Sequence, residues 1–290
     1  MALFGDLLTV VVQSVMISAL YALVAIGFTL IFGVGGVLNL AHGGTITLGA
    51  FSAYYVGRVF DLGVPAAMLA AVVVPAVFAG ALYLGMIRRI EDEPIMVLIL
   101  TLVVSVVIEQ LILTFEGGTP VALPVMFSGQ FQVAGATFQN TLGVMFLVSW
   151  AIIGLLFAFV NYTKMGKAIL ATSMSHKGAS LVGIDSGRIN LTTWIIAGAF
   201  AGIAGLFLGS FFTASFSMGR NPLVLSFAIV VLGGIGSIRG SVIGAYIIGF
   251  LEVATTSLID PRLRGLAPLV VLIVVLLVKP EGLFGRELAE

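Results

Sequence analysis

The stretch from Leu7 to Phe32 reads LLTVVVQSVMISALYALVAIGFTLIF and holds no Asp, Glu, Lys or Arg. An α-helix rises about 1.5 Å per residue, so this run is long enough to cross roughly 30 Å of hydrocarbon. In lipid such a helix satisfies its own backbone groups, whereas in water it would expose apolar surface on every side. The run is too long for the apolar core of a secretory leader, and no Lys or Arg precedes it. No cleavable signal peptide is expected, and the run reads as a true span.

Outward from it the pattern recurs. Further apolar runs lie near 45–60, 64–87, 94–115, 138–161 and 190–213. A Gly-interrupted pair follows at about 222–237 and 241–258, and a last short run at 266–279. The second and last are shorter than a full crossing and are expected to be tilted, broken or partly inserted. The fold class is therefore all-α, a polytopic membrane helix bundle of about eight to nine spans within a single transmembrane domain, 1–290. Composition agrees: 60% of residues are hydrophobic and 9% charged, against about 25% charged in soluble domains. The partner this composition demands is the lipid bilayer. The 36 glycines suit close helix packing in a membrane. A net charge of zero gives no sign of a nucleic-acid partner, and the absence of cysteine excludes disulfides and thiolate sites.

Basic residues predict orientation. Arg88 and Arg89 follow the third run, Lys164, Lys167, Lys177 and Arg188 lie in the polar stretch from Asn161 to Ile189, and Lys279 and Arg286 mark the C-terminal region. Placing all three groups in the cytoplasm puts the N-terminus outside and the C-terminus inside. The loop from Glu116 to Thr137 then lies outside, and it has no Lys or Arg.

Little in the chain suits catalysis. Asp6, Asp61, Asp92, Asp185 and Asp260 stand at run ends or in loops, so no aspartate pair faces another within the bilayer. His42 and His176 accompany no Gly-x-Ser-x-Gly elbow and form no metal-ligand spacing. No Gly-x-x-x-x-Gly-Lys-Ser/Thr loop is present, so the chain is not expected to bind ATP in that way.

Intramembrane charges are costly and commonly functional. Glu109, beside Gln110, falls about two turns inside the outer end of the fourth run. It either lines a polar translocation path, reaches the interface, or is paired within the bundle. Glu252 reads as an interfacial carboxylate near the outer end of a half-helix. The segment Asn39-Leu40-Ala41-His42-Gly43-Gly44 is the clearest break between apolar runs. It is either a broken helix lining the pathway or a short turn in which Asn39 and His42 satisfy loose backbone groups. A faint echo links Ala41–Phe51 with Ile238–Tyr246, each a Gly turn opening a small-residue helix, and interrupted helices in two halves point to transporter sites.

The polar loop 163–189 predicts a short amphipathic helix across Ala168–His176, then Gly178, a second small helix across Ala179–Val182, and a turn at Gly183. A compact knob of this kind suits docking into a groove on a cytoplasmic partner. A plain solvated loop is the alternative.

At these segments the sequence closely resembles the LivH-type permeases of branched-chain amino acid ABC importers, a family that includes urea and amide permeases. The matching stretches are Ile26–Gly33 leading to Leu38–Gly43, Gly49–Phe51, Gly178–Ile189, Ala197–Gly205, Val231–Gly240 and Lys279–Gly285. The resemblance implies a type II-like ABC importer permease in the cytoplasmic (inner) membrane. It further implies a heterodimer with a second, LivM-type permease, two cytoplasmic ATPase subunits and an extracytoplasmic solute-binding protein. ATP would be used by the partner subunits, and no cofactor or metal would be bound by this chain. By the same resemblance Ala171, Gly178, Ala179, Leu181, Gly183, Ile184 and Asp185 would form the coupling loop that docks on an ATPase. ABC permease coupling loops often carry Glu-Ala-Ala-x-x-x-Gly; here Ala179-x-x-x-Gly183 remains and no glutamate precedes it. Asn39, His42, Gly43 and Glu109 are the expected translocation-pathway residues. The solute would be a branched-chain amino acid or a related small polar molecule, with urea or short amides as alternatives. An ion-coupled carrier or channel is the competing class, and a non-transporting structural membrane protein a third.

Overall fold

The computed structural model describes residues 2–123, 127–133, 135–279 and 281–284, with side chains from residue 7 onward. Arg286, and Pro280 and Gly285 of the C-terminal motif, lie outside the described residues.

The charge-free first run becomes α1 (Ala2–Gly35) and the central post of the bundle. Leu20, Ala22, Leu23, Ala25 and Ile26 are fully buried in it. Around α1 stand α5 (Asn140–Tyr162), α8 (Ser186–Phe212), α9 (Arg220–Gly233) and α10 (Ile238–Leu258). A second layer, α2 (Ala41–Tyr54) and α3 (Gly63–Gly85), packs on α8, and α4 (Pro94–Glu116) packs chiefly on α2. α11 (Leu266–Val278) lies on α9 and α10. Small residues set these spacings. A Cβ at Gly205 would collide with the carbonyl oxygen of Ile46, and one at Gly202 with that of Ala71, so α8 lies backbone to backbone against α2 and α3.

Among the described residues six helices, α1, α3, α4, α5, α8 and α10, are long and apolar enough to cross a membrane. The remaining three apolar runs return as the shorter α2, α9 and α11, of 14, 14 and 13 residues. Each spans roughly 20 Å at about 1.5 Å per residue. The expectation of eight to nine spans, some short, agrees with this count. One detail differs: α10 is no half-helix but a full-length span of 21 residues. Its turn from α9, with Gly234 at φ +97° and Gly236 at φ +76°, sits beside Gly33 near the end of α1.

One end of the bundle carries α6 (Lys164–Met174) and α7 (His176–Leu181), here called the loop end. Both helices start earlier than the sequence reading placed them, because hydroxyl caps set the starts. Thr163 accepts from the Gly166 amide at 2.9 Å and Ser175 from the Gly178 amide at 3.0 Å. The opposite end carries an antiparallel hairpin, β1 (Gln130–Val133) and β2 (Ala136–Gln139), within and just beyond the loop expected over Glu116–Thr137. The alternation Gln-Phe-Gln-Val before Gly135 (φ +91°) and Ala-Thr-Phe-Gln after it was the available signal.

Candidate translocation site and coupling loop

Two helices begin inside the bundle instead of at its ends. After α1 the chain turns at Gly36 (φ +64°) and folds back. The Asn39 Oδ1 accepts from the Ala41 amide at 3.0 Å, and Leu40 donates its amide to Thr101 Oγ1 of α4 at 3.1 Å, so the start of α2 is satisfied without water. The His42 Nε2 donates to the Val24 carbonyl at 3.1 Å. Val24 lies about three turns before the end of α1, so α2 starts roughly 16 Å from the loop end. Asn39 and His42 are 4% and 1% exposed. Of the two sequence readings, the geometry joins them: the helix is broken, and these side chains hold the break by satisfying backbone groups.

The second break lies between α8 and α9. Thr213 takes φ +78°, a conformation costly for a residue with a Cβ by about 1–3 kcal/mol. Ala214 and Val121 hold it by exchanging amide–carbonyl hydrogen bonds at 2.8 and 3.0 Å. The chain then runs inward without helix to Gly219, whose amide donates to Thr47 Oγ1 of α2 at 3.1 Å. Gly43 and Gly219 touch backbone to backbone, and a Cβ on Gly219 would collide with the Gly43 carbonyl. The interior partner of the α2 start is thus α9, whereas the Ile238–Tyr246 echo falls at the loop end where α10 begins.

At this meeting point Arg220 grips Glu109 of α4. Its Nε donates at 3.1 and 3.0 Å to the two carboxylate oxygens and its Nη2 at 2.6 Å to Oε2. Glu109 is about 10 Å inside the end of α4, with a side chain 7% exposed, while the Arg220 side chain is 67% exposed. A carboxylate at that depth is sustained by its guanidinium partner. Of the three sequence expectations for Glu109 the structure selects pairing within the bundle, and Arg220 is a partner the sequence alone does not name. An arginine opening an apolar run after a Ser/Thr/Gly stretch was the signal.

Glu252 departs from the interfacial reading. It is 2% exposed and accepts the Gly265 amide at 2.8 and 3.1 Å, closing the start of α11. The chain returning at Gly265 covers it, and Arg264, next to Gly265, lies over the Phe212 ring at 3.8 Å.

At the loop end the knob is ordered. Ile169 of α6 packs with Val34 and Ile189. The Ala179 side chain is buried, Gly183 sits at φ +83°, and Ile184 donates its amide to the Ala179 carbonyl at 3.0 Å. Asp185 caps α8 at the Arg188 amide, 3.2 Å away. Ala171 and Ile184 are half-buried and Gly178 is exposed. Leu181 and Val182 are 79% and 75% exposed, two apolar side chains side by side at the tip. The structure therefore brings Gly178–Asp185 together as one surface and leaves Asn39, His42, Gly43 and Glu109 at the interior breaks.

Comparison with known proteins bears on what such an arrangement does. A family model described as branched-chain amino acid transport system, permease component, matches residues 10–276. The chain is 32% identical to the high-affinity branched-chain amino acid permease LivH of Escherichia coli K12, over 96% of this chain and 95% of that protein. It is 27% identical to LivM of Salmonella typhimurium, over 75% of this chain and 57% of that one. In fold it is similar to PsaBC from Streptococcus pneumoniae, at a TM-score of 0.53 and 10% identity, covering 95% of this chain and 94% of that one.

Proposed function

We propose a function from one premise: the chain belongs to the branched-chain amino acid transport permease family. It is a multi-pass membrane permease subunit of an ABC importer, and the solute it passes is a branched-chain amino acid or a close relative. The observation that carries this is the family match across nearly the whole chain, 10–276. The partners in this reading are a second, homologous permease, two cytoplasmic ATPase subunits that use the ATP, and an extracytoplasmic solute-binding protein.

The orientation proposed puts the loop end in the cytoplasm of the inner membrane, with the N-terminus outside and the C-terminus inside. In support, Arg88, Arg89, Lys164, Lys167, Lys177 and Arg188 all belong to that end. Leu181 and Val182, held out by the buried Ala179 and the turn at Gly183, supply the apolar tip that docks on an ATPase. Asn39, His42 and Gly43 shape the passage by fixing the interior start of α2, and Glu109 does so by holding Arg220. Glu109 and Glu252, the buried carboxylates among the described residues, are both engaged with fixed donors, which favours energy supplied by partners over ion coupling.

The test is solute specificity in the reconstituted importer with its binding protein. Leucine, isoleucine or valine is expected to be taken up and urea excluded. Uptake of urea with none of the amino acids overturns the solute assignment.

A further inference from the structure

Arg220 stands out among the charged residues. It is a cation at membrane depth, two-thirds exposed, at the inner end of a non-helical segment, 213–219. Thr213 of that segment is exposed and Ser215 and Ser217 are half-buried. Irregular, hydroxyl-bearing backbone and an uncovered guanidinium are not stable against lipid; at this depth they face protein or a water-filled cavity. The contact with Glu109 uses Nε and Nη2, leaving the Nη1 edge of the fork directed away from the pair. Glu109 itself is covered, so the surface offered is cationic and hydrogen-bond donating.

We propose that Arg220, clamped by buried Glu109 at the junction of α2 and α9, is the residue of the passage that binds the carboxylate of the solute. This rests on the permease reading above and adds to it the chemical group recognised. The planar fork matches a carboxylate, and pairing with Glu109 fixes its orientation before a solute arrives. The net neutrality of the pair keeps the solute from being trapped, because a carboxylate meets a shared guanidinium instead of a lone cation. Contact with the partner permease is the competing use of the same surface.

Arginine-specific labelling by phenylglyoxal, read at Arg220 by peptide mass spectrometry, separates these. In the assembled importer without binding protein, Arg220 is expected to label, and leucine or isovalerate to slow it, while isobutylamine, which lacks the carboxylate, does not. Equal labelling with all three overturns the proposal. So does an Arg220 that labels in the isolated chain and not in the importer, which makes it a subunit contact, and so does an Arg220 that labels in neither. The E109Q/R220Q variant, which keeps the pair neutral, is expected to lower leucine uptake on the order of tenfold or more while the subunits still copurify. Uptake within twofold of the wild type overturns the proposal with the solute assignment intact; absence of amino-acid uptake by the wild type overturns the solute assignment on which it rests.

Discussion

His176 of α7 donates from Nε2 to the carbonyl oxygen of Val34, in the last turn of α1. The knob at the loop end is thereby fastened to the helix whose end leads directly into the 36–40 turn and the interior start of α2. The proposed coupling route from the knob to the break at Asn39–His42 runs through this hydrogen bond and the contact of Ile169 on α6 with Val34 and Ile189. His176→Ala is expected to lower uptake several-fold while ATP hydrolysis by the importer persists. One hydrogen bond contributes about 1 kcal/mol, so the fold survives, and uptake per ATP hydrolysed is the measurement. An unchanged ratio removes the linkage.

The exposed pair Leu181 and Val182 touches little of this chain, so L181S/V182S leaves stability within about 0.5 kcal/mol and weakens copurification of the ATPase subunits. Gly183→Pro acts differently. Proline requires φ near −65° and removes the amide that Gly183 donates to Ser180 at 3.0 Å, whereas the native φ is +83°. Transport is expected to uncouple from ATPase activity while assembly survives, as read by uptake and hydrolysis on one preparation. An unchanged transport rate contradicts docking at this turn.

The Gly43–Gly219 contact admits no side chain. Gly219→Ala drives a Cβ into the Gly43 carbonyl and is expected to cost about 1–3 kcal/mol, seen as a lower unfolding temperature in detergent. Gly85→Ala, where a Cβ meets nothing within 4 Å, is the matched control and is expected to be neutral.

Glu252 serves the start of α11. Glu252→Leu strands the half-buried Gly265 amide and is expected to destabilise by about 1–3 kcal/mol. Glu252→Gln keeps a carbonyl acceptor and is expected to stay within about 1 kcal/mol of the wild type. Thermal unfolding of the two variants side by side checks this. Equal loss in both contradicts the capping role.

The spans were legible because membrane helices declare themselves locally: the charge-free run from Leu7 to Phe32 needs no distant partner to be read. The break at Asn39–Gly44 was legible for the same reason. The depth of the α2 start was not, because it is set by Gly219 and Thr47, 172 positions apart. The role of Arg220 is not legible locally, because its partner Glu109 lies 111 positions away; beside an apolar run it looks like an ordinary flanking charge. Glu252 misled in the opposite way: its position near a helix end suggests an interface, but the returning chain at Gly265 covers it. The hairpin and the hydroxyl caps at Thr163 and Ser175 are written locally, in alternation and in residue type.

The function proposed above makes this chain a passage driven by partner ATPases. Its most direct test is leucine uptake into proteoliposomes holding the complete importer, with and without ATP and with ion gradients collapsed by ionophores. Uptake is expected to require ATP and the ATPase subunits and to be unaffected by the ionophores. Uptake by the purified chain alone, or uptake that ionophores abolish, contradicts it.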